Sequence, residues 1–256
     1  MEDAIVIFEN EVAFTPSTPS EYLNHDMDIG NNIWKKVEAL KSIAEMRIFM
    51  VIVIIILLQS FVNYIVITTI ADSILMGILH FHFSTKCSLN KFLITKENRI
   101  DFQDGNQCAA FSAAYVLRHW NIEESGNNLY QIMPGKLKDG CVYPKGIQKL
   151  LFRYGFKVKY CAGNIKALKN EVSKGNPVIV MMRTKVNQNW LHFVPVVGYD
   201  EHHIFIAESL KELVNSEELH YNRKIQTEEF IKFWNTSMLK MPFYRNTYFV
   251  VIGQER

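Results

Sequence analysis

One stretch, "IFMVIVIIILLQSFVNYIVITTI" at residues 48–70, runs 23 residues without a charge. Coiled as a helix it rises about 34 Å, at roughly 1.5 Å per residue. That exceeds a hydrocarbon core of about 30 Å, so the segment reads as a membrane span. A buried core helix is the lesser alternative. A cleaved signal peptide does not suit a run this long that follows 47 residues. Gln59 and Asn63 are four apart and share one face, where a second helix can meet them.

The flanks differ in character. Residues 1–34 hold seven acids and no Lys or Arg, with "FTPSTPSEY" in the middle, and read as a mobile tail. Lys35, Lys36, Lys41 and Arg47 then precede the span, whereas residues 71–85 carry no Lys or Arg. By the positive-inside rule this expects an inside N-terminus and a C-terminal domain outside the cytoplasm. "SILMGILHFHF" (73–83) is apolar but short, and reads as an interfacial segment or, less favourably, as the return arm of a hairpin.

The 256 residues leave room for one sizeable domain, and 48% hydrophobic residues supply its core. Net charge is +2 overall, yet residues 73–256 carry 24 bases against 16 acids. These lysines alternate with acids, which describes a mildly basic surface and no nucleic-acid footprint. Cys87, Cys108, Cys141 and Cys161 show no CxxC pair and no Cys/His ligand spacing, so no metal or cofactor is expected. Four cysteines are too few for a disulfide framework, though one bridge stays open.

Beyond residue 95 the pattern alternates. "CAAFSAAYVLRHW" is helical, and "YPKGIQKLLFRYGF" is a helix with Pro144 near its start and Gly155 at its end. "KVKYCAG" reads as a strand, Asn164 caps "IKALKNEVSKG", and "NPVIVMMRT" is a β-branched strand. "HFVPVVGYD" (192–200) and "HIFIAES" (203–209) form a hairpin, Thr227 caps "EEFIKFWN", and "TYFVVIG" closes the domain. Helices first and an antiparallel sheet later make an α+β arrangement.

Cys108 falls on the first turn of its helix, where unpaired N–H groups favour a thiolate. A nucleophilic thiol needs a base. His119 lies too far along the same helix, and His202, His203 and His220 sit in turns or loops. His192 opens an apolar strand, where a polar ring needs a reason. An imidazole base needs a partner on its other nitrogen. Glu208 shares a face with Ile204 and Ile206 on the next strand, with Asp200 in the turn as the weaker alternative.

"FQDGNQCAAFSAAYVLRHW" followed by "LHFVPVVGYDEHHIFIAES" resembles the papain-like cysteine peptidases, and most closely their bacteriocin-processing (double-glycine leader) branch and its stand-alone members. The resemblance covers roughly residues 100–210. It implies a papain-like fold, with Cys108 as nucleophile, His192 as general base and Glu208 as the orienting acid. The family usually has Asp or Asn at the third position, and Glu is one methylene longer. An oxyanion donor is implied at Gln103, with the adjacent Gln107 as the alternative. The chain then divides into a tail with its basic flank (1–47), the span (48–70), a membrane-proximal segment (71–94) and a peptidase domain (95–256).

The expectation is a membrane-anchored cysteine peptidase acting on a peptide or protein. Two alternatives use the same residues differently: an acyltransferase or amidase that passes the acyl group to an amine, and a non-catalytic binding or immunity module. The resemblance suggests cleavage after small residues such as Gly-Gly. It also places the relatives inside the cell, against the charge count, and the charge count is followed here.

Overall fold

The computed structural model describes residues 19–185, 187–188, 190–236 and 244–254. It divides into two compact units, one ending at Ile65 and the other beginning at Val66. Residues 1–18, the first part of the expected tail, lie outside the described residues.

A helix, α1 (Pro19–Met76), accounts for the described part of the first unit. The helix takes in residues 19–34, which the sequence reading assigned to the tail. Pro19 opens the helix, where its missing N–H is tolerated. Within α1, the stretch 30–68 is long and apolar enough to cross a membrane, its most apolar 18 residues having a mean hydropathy of 2.6 and none of them buried. Gln59 donates its amide to Asn63 at 3.1 Å.

In the second unit, the end of α1 leads into β1 (Leu79–His82) and β2 (Phe92–Leu93). Next come α2 (Cys108–His119), α3 (Gly126–Ile132), α4 (Pro144–Arg153) and β3 (Phe156–Gly163). The chain continues through α5 (Ile165–Val172), β4 (Val178–Arg183), β5 (Leu191–Tyr199) and β6 (His203–Ile206). It closes with β7 (Arg223–Gln226), α6 (Thr227–Trp234) and β8 (Thr247–Gln254). The strands form one sheet in the order β1-β3-β8-β4-β5-β6-β7, with β2 paired to β5. All pairings are antiparallel except β1 on β3. This is the α+β architecture the sequence expects.

Two local readings need correction, and the segment read as interfacial gains its secondary structure. Residues 73–83 are the last turn of α1 and an edge strand: Gly77, at φ +94°, ends the helix, and a Cβ there would meet the Gln148 side chain. The alternation of Leu79, His80, Phe81 and His82 then suits a strand. Thr227 is the first residue of α6 and Gln226 holds the cap position, and the Thr227 hydroxyl is buried without a hydrogen-bond partner, so it caps nothing. The strand expected to reach residue 209 ends at Ile206.

The sheet is buried on both faces, which explains the nearly continuous apolar run of β4. One face packs under α2 and α4 through Ala110, Ala113, Leu117, Leu150, Tyr160 and Phe249. The other packs under α5 and α6 through Leu168, Val180, Val194, Phe230 and Trp234. Each fully buried Leu or Phe contributes about 1.5–3 kcal/mol over an exposed one, so α2 and β5 are held firmly by the core between them.

Candidate active site

Cys108 is the first residue of α2, as the sequence reading has it. The cap position is Gln107, whose side chain makes no capping hydrogen bond, so the first N–H groups of the helix are not taken up by a side-chain cap. Ala109, Ala110, Ala113 and Ala114 are all buried. Without bulk on that face, α2 approaches the sheet closely, and Ser112 reaches across. Its Oγ donates to the Phe193 carbonyl at 2.9 Å, tying the cysteine helix to the residue after His192. The loop before Cys108 is braced as well, by the Asn106 amide donating to the Asp139 carbonyl at 2.8 Å.

His192 sits near the start of β5, paired with Met182 of β4, and is almost wholly buried. Its Nε2 lies 2.7 Å from Glu208 Oε1. Cys108 also acts on the ring, as a neighbour that favours its protonated form. Of the three residues singled out in the sequence, His192 and Glu208 are in direct contact, and Cys108 is a neighbour of the ring. Burial by itself disfavours a charged imidazole. The charge and hydrogen bond of the Glu208 carboxylate, together with Cys108, outweigh that and raise His192 above the ordinary imidazole value.

Glu208 is fully buried two residues past the end of β6. Burial alone pushes a carboxyl up, but here the charge and hydrogen bond of His192 and the charge of Arg223 win, and the group falls to about 2. Arg223 Nη1 donates to Glu208 Oε2 at 2.8 Å, and the Leu210 N–H donates to Oε1 at 2.9 Å. Asn222 fixes the backbone on either side, accepting from the Glu208 N–H at 2.7 Å and donating to the Glu208 carbonyl at 2.8 Å. The extra methylene of Glu is thus accommodated in a fully bonded pocket.

Asp200, the alternative acid, is not brought to His192. It lies eight residues along, at the hairpin turn, or about 26 Å at roughly 3.3 Å per residue of strand. There it accepts from the N–H groups of His202 at 2.8 Å and His203 at 2.6 Å, and contacts the His203 ring.

Gln103 is clamped between the two halves of the site. Its Oε1 accepts from Ser209 Oγ at 2.7 Å, its N–H donates to the Ser209 carbonyl at 3.0 Å, and its Nε2 donates to the Gly105 carbonyl at 2.6 Å. The loop entering Cys108 is therefore fastened to the residue after Glu208. Gln107 has its Oε1 buried without a hydrogen-bond partner.

Sequence reasoning missed Ser112, Asn222 and Arg223. Ser112 left a signal, a hydroxyl one turn beyond the cysteine in an otherwise apolar helix. Asn222 and Arg223 left none, because β7 was not legible as a strand. All four cysteines are free thiols.

A family model, the Peptidase_C39 like family, matches residues 92–238. No curated protein matches the chain significantly. Among solved structures, a C39-like peptidase from Bacillus anthracis is similar at a TM-score of 0.50 and 16% identity, over 65% of this chain and 99% of that one. The peptidase domain of Streptococcus ComA, a bifunctional ABC transporter, aligns at a TM-score of 0.47 and 14% identity, over 62% and 99% of the two chains. Xylellain, a cysteine protease from Xylella fastidiosa, aligns at 0.41 and 14%, over 66% and 87%. With the family model spanning more than half of its length, this chain belongs to the Peptidase_C39 like family and is a cysteine peptidase of papain-like α+β fold.

Proposed function

We propose that the protein is a membrane-anchored peptidase that cleaves a peptide bond through Cys108, His192 and Glu208. The observation that carries this reading is the buried imidazole of His192, 2.7 Å from the Glu208 carboxylate and with Cys108 as its neighbour. In the first step the Cys108 sulfur bonds to the scissile carbonyl carbon, and the proton it gave up resides on His192. The carbonyl oxygen becomes an oxyanion, held by the Cys108 N–H and by the Gln103 amide once it leaves the Gly105 carbonyl. The intermediate collapses as His192 passes its proton to the leaving amine, which departs with its C–N bond broken. Water, deprotonated by His192, then hydrolyses the thioester and restores the thiol. Glu208 holds the ring in register through both steps.

The anchor is the uncharged segment 48–70 within α1, and the four cations before it favour a peptidase domain outside the cytoplasm. Substrates are peptides with small residues before the cut, as the resemblance to double-glycine peptidases suggests. A peptide library offered to the detergent-solubilised full chain, with Cys108→Ala as control, tests the chemistry. New amino termini that depend on Cys108 support it, and their absence across the library counts against it. Protease added to intact cells tests the side: a C-terminal domain protected until lysis overturns the outside placement.

A further inference from the structure

Met76, the last residue of α1, is fully buried in the core of the second unit. The backbone beside it is fastened to the same unit. Lys145 Nζ donates to the Ile74 carbonyl at 2.8 Å, and the Tyr244 hydroxyl donates to the Gly77 carbonyl at 2.9 Å. The uncharged run ends at residue 70, only six residues earlier. As helix, six residues span about 9 Å. The headgroup layer on each side of a bilayer is itself about 5–8 Å thick. If residues 48–70 span the bilayer, the surface carrying residues 74–83 has no room to stand clear of the lipid.

That surface is apolar where a water-facing sheet edge is normally charged. Ile74 is 62% exposed, Ile78 72%, Phe81 65% and Phe83 67%. Four large apolar side chains within ten residues, at the end of α1 and in and beside the edge strand β1, invite aggregation in water. In a headgroup layer they bury, and aromatic rings are favoured there. Exposed Lys86 and Lys91 follow directly, and Lys166 adds its charge nearby by donating to the Thr85 carbonyl at 3.0 Å. Cations in this position suit anionic lipid.

We propose that the β1 edge, through Ile74, Ile78, Phe81 and Phe83, rests in the lipid headgroup layer, so that the peptidase domain is seated on the bilayer and not tethered above it. This rests on the membrane reading of residues 48–70. β1 is thereby both a strand of the sheet and a membrane contact.

The test uses the full chain in nanodiscs of phosphatidylethanolamine and phosphatidylglycerol, with photoreactive benzoylphenylalanine at one position at a time. Position 57 lies inside the uncharged run, positions 81 and 83 on the β1 edge, and position 219 is an exposed leucine next to β7 at the opposite edge of the sheet. Lipid adducts are expected at 57, 81 and 83, with none at 219. Adducts at 57 without any at 81 or 83 overturn the seating while leaving the span intact. No adduct at 57 overturns the span, and the seating falls with it. Phe81 and Phe83 are largely exposed, so neither replacement threatens the fold.

Discussion

His192 and Glu208 are 2.7 Å apart, both buried, although sixteen residues and the end of a strand separate them. The β5–β6 hairpin explains the meeting. Pairing of Tyr199 with Ile204 and of Val196 with Ile206 sends the chain back toward the start of β5, so the segment beyond β6 arrives beside His192. A second ion pair, from Arg223, then occupies the carboxylate's other oxygen. The acid is held through both oxygens, by His192 and by Arg223, and can neither turn nor be lost to solvent.

Cys108 is expected to be alkylated faster by iodoacetamide than Cys141 and Cys161, whose thiols burial pushes up to about 11. Mass-spectrometric labelling at neutral pH, with exposed Cys87 as the ordinary reference, measures this. Labelling of Cys108 no faster than Cys161 contradicts a nucleophilic role.

Glu208→Gln should lower kcat/KM by about a hundredfold or more, since positioned acid–base catalysis contributes roughly 10²–10⁴, while Cys108→Ala abolishes turnover. Asp200→Asn should leave kcat/KM within a few-fold of wild type, because Asp200 sits at the far end of the hairpin. The reverse ranking would reassign the third residue.

Arg223→Met leaves a buried carboxylate with one cation fewer, and breaking a buried pair costs about 3–5 kcal/mol. Glu208→Gln removes the charge that Arg223 serves. The double variant should therefore lose less stability than the two single losses added together. A double-mutant cycle from urea unfolding reads the coupling directly, and strict additivity would show that the two groups do not interact.

The same pair sets a pH dependence. Glu208 is depressed in the folded state, so its stabilisation is present above the unfolded carboxyl value of about 4.3 and is lost as pH falls toward about 2. His192 is raised, so its contribution is full below the unfolded imidazole value of about 6.5 and is lost as pH rises through its folded value. Thermal melts across pH should show wild type losing more stability than Glu208→Gln between about pH 4.3 and 2. Parallel curves for the two proteins would refute the linkage.

A fragment of residues 72–256 keeps Met76 and β1, and should fold and cleave. A fragment of 91–256 retains Cys108, His192 and Glu208 but strips β1 from β3 and removes the buried Met76. Loss of a core Met alone costs about 2–5 kcal/mol. The shorter fragment should melt at a lower temperature or fail to fold, and equal melting points would show that β1 is dispensable.

How much of this was legible beforehand follows the range of the interactions. The apolar run at 48–70, the Pro144 start and Gly155 end of α4, and the Asn164 cap of α5 are local signals, and the structure agrees with each. Cys108 at a helix start and His192 in an apolar strand were legible for the same reason: a polar atom in an apolar pattern stands out along the chain. Glu208 was preferred to Asp200 from strand alternation, whereas the Arg223 and Asn222 pocket, the Ser112 bridge and the β1 pairing were decided by the tertiary structure. Each depends on which strand lies beside which, and β1, β3 and β8 are neighbours drawn from the start, middle and end of the second unit. Periodicity records which face of an element is buried. It carries no record of which distant element buries it, and that assignment is made by packing.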